Sequence, residues 1–335
     1  MKISIDRGVL LKALNHVQSV VERRNTIPIL SNVKIDADEK GISLIATDLD
    51  LEIIEKVEAN VSQVGSTTVS AHILYDIVRK IPEGSSIEIE QNQDDQMELK
   101  SGQSNFDLPC LPDEDFPEMS SGEMPCNFTM NSSDIKRLID KTKFAISTEE
   151  TRYYLNGIFL HSINNELRSV ATDGHRLACI KSDLPSGAEE MPSIIIPRKT
   201  VGEIRKLIED SSDNLTIKVS DTKIQFILKD VQLTSKLIDG TFPDYERVIP
   251  KNNDKELSIE TKIFSSSIDR VATISSDKSK AVKFLLKDGA LTLTVINPDA
   301  GTAVETTPVD YNYEELEIGF NARYLLDIAS QIDGP

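Results

Sequence analysis

The chain has 335 residues, with 55 acidic against 37 basic side chains and a formal net charge of −18. That length asks for two or three domains, each able to bury its own core, and no apolar run approaches the ~20 residues that a membrane-spanning helix needs. Cys110, Cys126 and Cys179 are odd in number and scattered, with none at CxxC spacing, which argues against a disulfide framework or a zinc site and leaves them as small apolar side chains.

From the N-terminus, Ile3 and Ile5 alternate as in a strand, with none of a signal peptide's apolar core, so a cytoplasmic location is expected. Val9, Leu10, Ala13, Leu14, Val17 and Val20 then follow helical spacing. Alternating runs at 33–35, 42–46 and 51–57 predict an antiparallel meander. A further strand over 67–70 leads into a second helix carrying Ile73, Leu74, Ile77, Val78 and Ile81, stopped by Pro82-Glu83-Gly84. Strands over 86–90, 97–101 and 105–108 close the unit.

The same outline then returns. Ala46-Thr47-Asp48 and Ala171-Thr172-Asp173 stand 125 residues apart, and Phe116-Pro117 and Phe242-Pro243 stand 126 apart. Ala322-Arg323-Tyr324-Leu325-Leu326-Asp327 mirrors Ala71-His72-Ile73-Leu74-Tyr75-Asp76 after 251 residues, or two periods. These spacings predict an α+β chain of three tandem repeats, each with two helices packed on antiparallel sheets. The expected domains are 1–124, 125–250 and 251–335. Three full periods would need about 375 residues, so the third repeat is expected to be incomplete after its second helix.

Basic residues gather on the predicted helices. Lys136, Arg137, Lys141 and Lys143 fall in one, Arg198, Lys199, Arg205 and Lys206 in another, and Arg24 follows the first. Repetition on equivalent helices suggests a surface that attracts phosphates while the acidic loops face away. The helices carry no interleaved aromatics for stacking on bases, so contact without sequence readout is expected.

No P-loop, GxGxxG, HExxH or GxSxG signature is present. Asp48, Asp50, Asp173 and His175 could ligate a metal, and a metal-dependent nuclease using Asp173 and His175 is one rival reading. Asp48 and Asp173 are repeat equivalents, however, which places them in separate domains and favours turn-forming roles. No catalytic residue, metal or cofactor is therefore assigned. A repeat scaffold that binds proteins only is the second rival.

The middle repeat stands out through Arg152-Tyr153-Tyr154-Leu155-Asn156-Gly157 and Ala171-Thr172-Asp173-Gly174-His175-Arg176-Leu177. With Ile196-Pro197-Arg198-Lys199, Thr234-Ser235-Lys236-Leu237, Phe242-Pro243-Asp244-Tyr245 and Glu317-Ile318-Gly319-Phe320-Asn321, these segments make the whole chain resemble the bacterial DNA polymerase III beta subunits, the sliding clamps. The resemblance implies a non-catalytic processivity factor: a head-to-tail homodimeric ring around double-stranded DNA. Its implied partners are the clamp loader, the polymerase III catalytic subunit and other proteins with clamp-binding motifs.

Carried over residue by residue, the family's peptide-binding pocket falls on Leu155, Thr172, Gly174, His175, Arg176, Leu177, Pro243, Arg247 and Val248, with an adjoining groove on Arg152, Tyr153 and Tyr154. The resemblance places DNA contacts at Arg24 and Lys199; Arg198, Lys136, Arg137 and Lys141 extend them by helix pattern. It puts the dimer contact on Phe106 and Leu108 of the first repeat against Thr273 and Ile274 of the third. Gln103 and Asn105 stand where the family pattern has Arg, which favours an apolar contact. The family's C-terminal tail, which completes the pocket, is expected to be missing, leaving an unpaired sheet edge and weaker partner binding.

Overall fold

The computed structural model describes all residues except Arg24, 93–95, Ser121, Asp210, 277–279 and Pro335. It divides into two compact units, Met1–Thr241 and Phe242–Pro335.

The first unit holds two copies of one motif. Copy one runs β1 (Lys2–Asp6), α1 (Arg7–Val17), β2 (Asn32–Asp38), β3 (Gly41–Thr47), β4 (Leu51–Val57), β5 (Asn60–Gln63), β6 (Gly65–Ser70), α2 (Ala71–Lys80), β7 (Ser86–Gln91), β8 (Gln96–Ser101) and β9 (Ser104–Leu111). Copy two runs β10 (Cys126–Asn131), α3 (Ser132–Asp140), β11 (Gly157–Ile163), β12 (Glu166–Thr172), β13 (Leu177–Asp183), β14 (Ile194–Pro197), α4 (Arg198–Leu207), β15 (Asn214–Val219), β16 (Lys223–Leu228) and β17 (Val231–Lys236). The second unit carries copy three: α5 (Thr261–Ala272), β18 (Ala281–Lys287), β19 (Ala290–Asn297), β20 (Gly301–Pro308), β21 (Leu316–Asn321) and α6 (Ala322–Ala329).

The equivalence is visible in the strand order. Copy one contains β4-β3-β2-β6, copy two β13-β12-β11-β14, and copy three β20-β19-β18-β21, each a meander with the strand before the second helix added at one side. Copies one and two also start their first helices alike, while Glu260 ahead of α5 makes no such side-chain bond. The Asp6 carboxylate accepts from Gly8 N (2.8 Å) and Val9 N (3.1 Å), and Asn131 Oδ1 accepts from Ser133 N (2.9 Å), satisfying backbone donors that a helix N-terminus leaves unpaired. The apolar stripe of α1, Leu10, Ala13, Leu14 and Val17, is buried and joins one core with Ile35, Leu44 and Ile53 of the meander. Copy three has a separate core of Ile268, Val271, Phe284 and Leu293.

Copies one and two share a continuous sheet of 13 strands. The joint is an antiparallel pairing of β17 with β4, from Val231 opposite Glu55 to Ser235 opposite Leu51.

Three details depart from the sequence reading. An extra short strand, β5, pairs with β1. Helix α3 stops at Asp140, so Lys141 is its C-cap and Lys143 lies in the following 3-10 turn; Thr142, whose hydroxyl donates to Leu138 O at 2.6 Å, is turned inward there instead of continuing the helix. The segment 150–155 is a 3-10 turn ahead of β11, matching the Pro28–Ser31 turn ahead of β2.

Candidate protein-docking and DNA-facing sites

The turn joining β12 to β13 is built around Asp173. One carboxylate oxygen accepts from His175 N (2.9 Å) and Arg176 N (3.0 Å), and the other accepts from Arg176 Nε (3.1 Å). Thr172 closes the turn, its hydroxyl donating to Arg176 O (2.7 Å) and accepting from Gly174 N (3.1 Å). Arg176 is further fixed by Phe144: its Nη2 donates to the Phe144 carbonyl at 2.6 Å, and the guanidinium lies 5.4 Å from the ring centroid. The loop is thus held by a half-buried cation, while Gly174 and His175 face outward.

Beside it runs the 150–155 turn. Arg152 donates to Glu149 through Nε (2.9 Å) and Nη2 (2.6 Å), and this hydrogen-bonded pairing raises its pKa further above the ordinary arginine value. A β-carbon on Gly174 would meet Arg152 Nη1 at 2.5 Å. Glycine thus leaves the space that the Arg152 guanidinium fills, and a side chain there would push that flexible end aside. Tyr153 and Tyr154 meet edge to face, with centroids 5.8 Å apart, and Tyr153 is 54% exposed. Gly240 admits Tyr154 in the same way, since a β-carbon there would sit 3.1 Å from Tyr154 Cβ.

The structure thus brings Arg152, Tyr153, Thr172, Gly174, His175, Arg176 and the half-buried Leu177 to one region of copy two. Leu155, at 3% exposed, is part of its floor and not an open wall. Pro243, Arg247 and Val248 belong to the second unit, where all three are exposed and Arg247 pairs with Asp244 at 2.7 Å.

The basic candidates fare unequally. Arg137 and Arg198 are exposed on α3 and at the start of α4, and Lys136 and Lys141 are half-buried. Lys136 Nζ reaches Glu209 O at 3.4 Å. Lys199, about a third exposed, donates from its ammonium to Asp48 Oδ2 (2.5 Å) and Val20 O (3.0 Å), tying copy two to copy one. Arg24 lies outside the described residues.

Asp48 repeats the turn role of Asp173, accepting from Asp50 N (2.9 Å) and Leu51 N (2.7 Å). Among the described residues no group of three His, Cys, Asp or Glu side chains could hold a metal, and no helix is long and apolar enough to cross a membrane. Cys126 is buried; Cys110 and Cys179 are half-buried, and none forms a disulfide.

Three domain models of the DNA polymerase III beta subunit match in succession: the N-terminal domain over residues 1–120, the central domain over 129–244 and the C-terminal domain over 246–335. The chain belongs to the DNA polymerase III beta subunit family. The beta sliding clamp of Caulobacter vibrioides is 51% identical over 340 residues, covering 100% of this chain and 91% of that protein. The Escherichia coli K12 beta sliding clamp is 37% identical, covering 99% and 90%. Among solved structures, a DnaN sliding clamp from Bartonella birtlesii bound to griselimycin superposes with a TM-score of 0.98 at 52% identity, covering 100% of this chain and 91% of that one.

The chain is accordingly a DNA sliding clamp, a non-catalytic subunit of the replication machinery. For a clamp the organisation of copy two is informative, because side chains missed in the sequence position the candidate groove. Glu149 holds Arg152, Phe144 holds Arg176, and Asp48 holds Lys199. Glu149 was within reach as a partner three residues from Arg152, whereas Phe144 lies 32 residues from Arg176. Asp48 was not, because 151 residues separate it from Lys199.

Proposed function

We propose that the chain closes head to tail with a second copy around double-stranded DNA, and that partner proteins dock short linear peptides on copy two. The partners in this reading are the clamp loader, the polymerase III catalytic subunit and other proteins bearing clamp-binding motifs.

The observation that carries the docking site is the Arg152–Gly174 approach. The Arg152 cation, paired with Glu149, and the exposed Tyr153 stand beside a loop whose Gly174, His175 and Arg176 N–H groups are satisfied internally. Such a surface loses little conformational entropy on binding, and aromatic and arginine side chains are the groups that most often dominate interface energy. The half-buried Leu177 supplies apolar surface for a peptide side chain, while Arg152 and His175 suit its polar ends.

DNA contact in this reading comes from Arg137 and Arg198 with Lys136 and Lys141, as mobile phosphate contacts that let the ring slide. Lys199 is assigned instead to the joint between copies. Topological retention needs no strong attraction, which reconciles DNA binding with the net charge of −18.

Loading the protein onto circular plasmid with a clamp loader tests the ring. It should remain bound until the plasmid is linearised and then run off the ends; equal loss from both forms overturns the reading. Fluorescence polarisation with a labelled clamp-binding peptide tests the groove, and Tyr153→Ala should weaken binding by about tenfold, or ~1.4 kcal/mol.

A further inference from the structure

The groove of copy two holds two arginines, and they are bound in unlike ways. Arg176 pairs with Asp173, and their side chains are only 18% and 15% exposed. Asp173 also accepts the backbone N–H groups of His175 and Arg176, so this carboxylate cannot leave without opening the turn. Arg152 pairs with Glu149, where the exposures are 32% and 52%.

Glu149 is tied to the fold through its backbone. Its N–H donates to Ser147 Oγ at 3.1 Å, and its carbonyl accepts from Arg152 N at 3.3 Å. Its side chain reaches Arg152, whose Nε (2.9 Å) and Nη2 (2.6 Å) meet the same oxygen, Oε2. A guanidinium binds a carboxylate most strongly side-on, with two parallel N–H groups on two oxygens. Glu149, only three residues from its partner, does not make that arrangement. Rotating its side chain away would free the cation and break neither backbone bond. An exposed pair of this kind contributes little stability, so exchanging it for another carboxylate costs little.

The guanidinium is also placed for an incoming group. Arg152 interrupts the 150–155 turn with φ −115° and ψ 51°, and its Nη1 fills the space beside Gly174. Exposed Tyr153 is the next residue, and half-buried Leu177 ends the adjoining loop. A cation beside apolar surface matches a peptide with an aspartate or glutamate next to an apolar side chain. A phosphate backbone fits less well, because Glu149 and Glu150 are both exposed at the start of this turn and would repel its successive charges.

We infer that Arg152 is the receptor for a carboxylate of the docked peptide, and that Glu149 is a built-in stand-in which an acidic peptide displaces. The inference deepens the docking reading above and rests on it. Glu149 holds back acidic peptides and leaves neutral ones unaffected.

Fluorescence polarisation with a labelled clamp-binding peptide tests this, one aspartate being moved along the peptide and each form compared with its asparagine counterpart. At the position that meets Arg152, Glu149→Gln should widen the advantage of aspartate over asparagine by about threefold to fivefold. Adding Arg152→Gln should abolish that gain. Glu150→Gln removes the same charge from the same turn and should widen the advantage by less than about 1.5-fold. An equal gain from Glu150→Gln overturns the exchange, since a general field then explains both. No advantage for aspartate at any position in Glu149→Gln overturns the receptor. Lower affinity of Arg152→Gln for duplex DNA, with the preference for aspartate intact, assigns the cation to phosphate and overturns it too. If no peptide binds the parent protein, the docking reading and the inference fall together.

Discussion

Arg152 Nη1 stands 2.5 Å from the point a β-carbon on Gly174 would occupy. Gly174 has φ +86°, and Leu49, in the equivalent turn of copy one, has φ +79°. A leucine tolerates the left-handed conformation in copy one, so the turn by itself does not demand glycine. Arg152 fills the space a β-carbon would take, and its flexible end would have to move. Gly174→Ala should therefore displace the guanidinium, cost about 1 kcal/mol of stability from the left-handed backbone and weaken peptide binding. Polarisation assays on Gly174→Ala and on Gly174→Ala with Arg152→Ala would separate the clash from the strain, because the second change relieves only the clash.

Arg176 works through its fork, spanning Asp173, the Phe144 carbonyl and the Phe144 ring. A lysine has neither the planar geometry nor the reach to serve all three. Arg176→Lys should loosen the 172–177 loop and reduce peptide affinity by about tenfold, with faster dissociation and little change in association rate. Surface plasmon resonance would read both rates.

Lys199 and Asp48 hold copies one and two together, with Lys199 about a third exposed and Asp48 largely buried. Screening limits such a pair, and a double-mutant cycle of Lys199→Met and Asp48→Asn should give a coupling of about 0.5–1 kcal/mol in urea denaturation. DNA affinity should hardly move, whereas a Lys199 that contacts phosphate would lower it.

Glu52 is buried in β4, with Met119 N donating to its carboxylate at 3.0 Å. Burial pushes its pKa above the ordinary 4.5. The folded state then holds the proton more tightly than the unfolded chain, so ionisation near neutral pH costs stability and the cost fades as pH falls through the raised pKa towards 4.5. Glu52→Gln keeps the acceptor for Met119 and removes the charge. Its melting temperature should exceed the parent's near neutral pH, and the two should converge in acid.

Arg137 and Arg198 are exposed on α3 and α4. If each contacts one phosphate, neutralising either should reduce the slope of log affinity against log salt by about 0.9. Fluorescence anisotropy on linear duplexes of unrelated sequence should give the same reduction for each, since phosphate contacts carry no sequence information.

The sequence by itself determined the repeat, and with it most of the fold. Apolar periodicity and the 125-residue spacing of Ala-Thr-Asp are local properties of the chain, and a strand or helix that buries one face writes that face into its pattern. The turn role of Asp48 and Asp173 was legible for the same reason, because an aspartate that caps its own turn needs only its next three residues. The unusual density of Arg152–Gly157 and Ala171–Leu177 sets copy two apart as the copy proposed to carry the docking site.

Tertiary structure decided what those residues touch. The resemblance offers Lys199 as a DNA contact, and only folding brings its ammonium to Asp48, 151 residues away. Leu155 offers apolar surface in the sequence, and the fold buries it at the end of the 150–155 turn. The pattern of β4 marks it as a strand of a meander, and only the fold seats β17 of copy two beside it, from Val231 opposite Glu55 to Ser235 opposite Leu51. An edge is defined by the strand beside it, and that neighbour lies in another copy of the repeat.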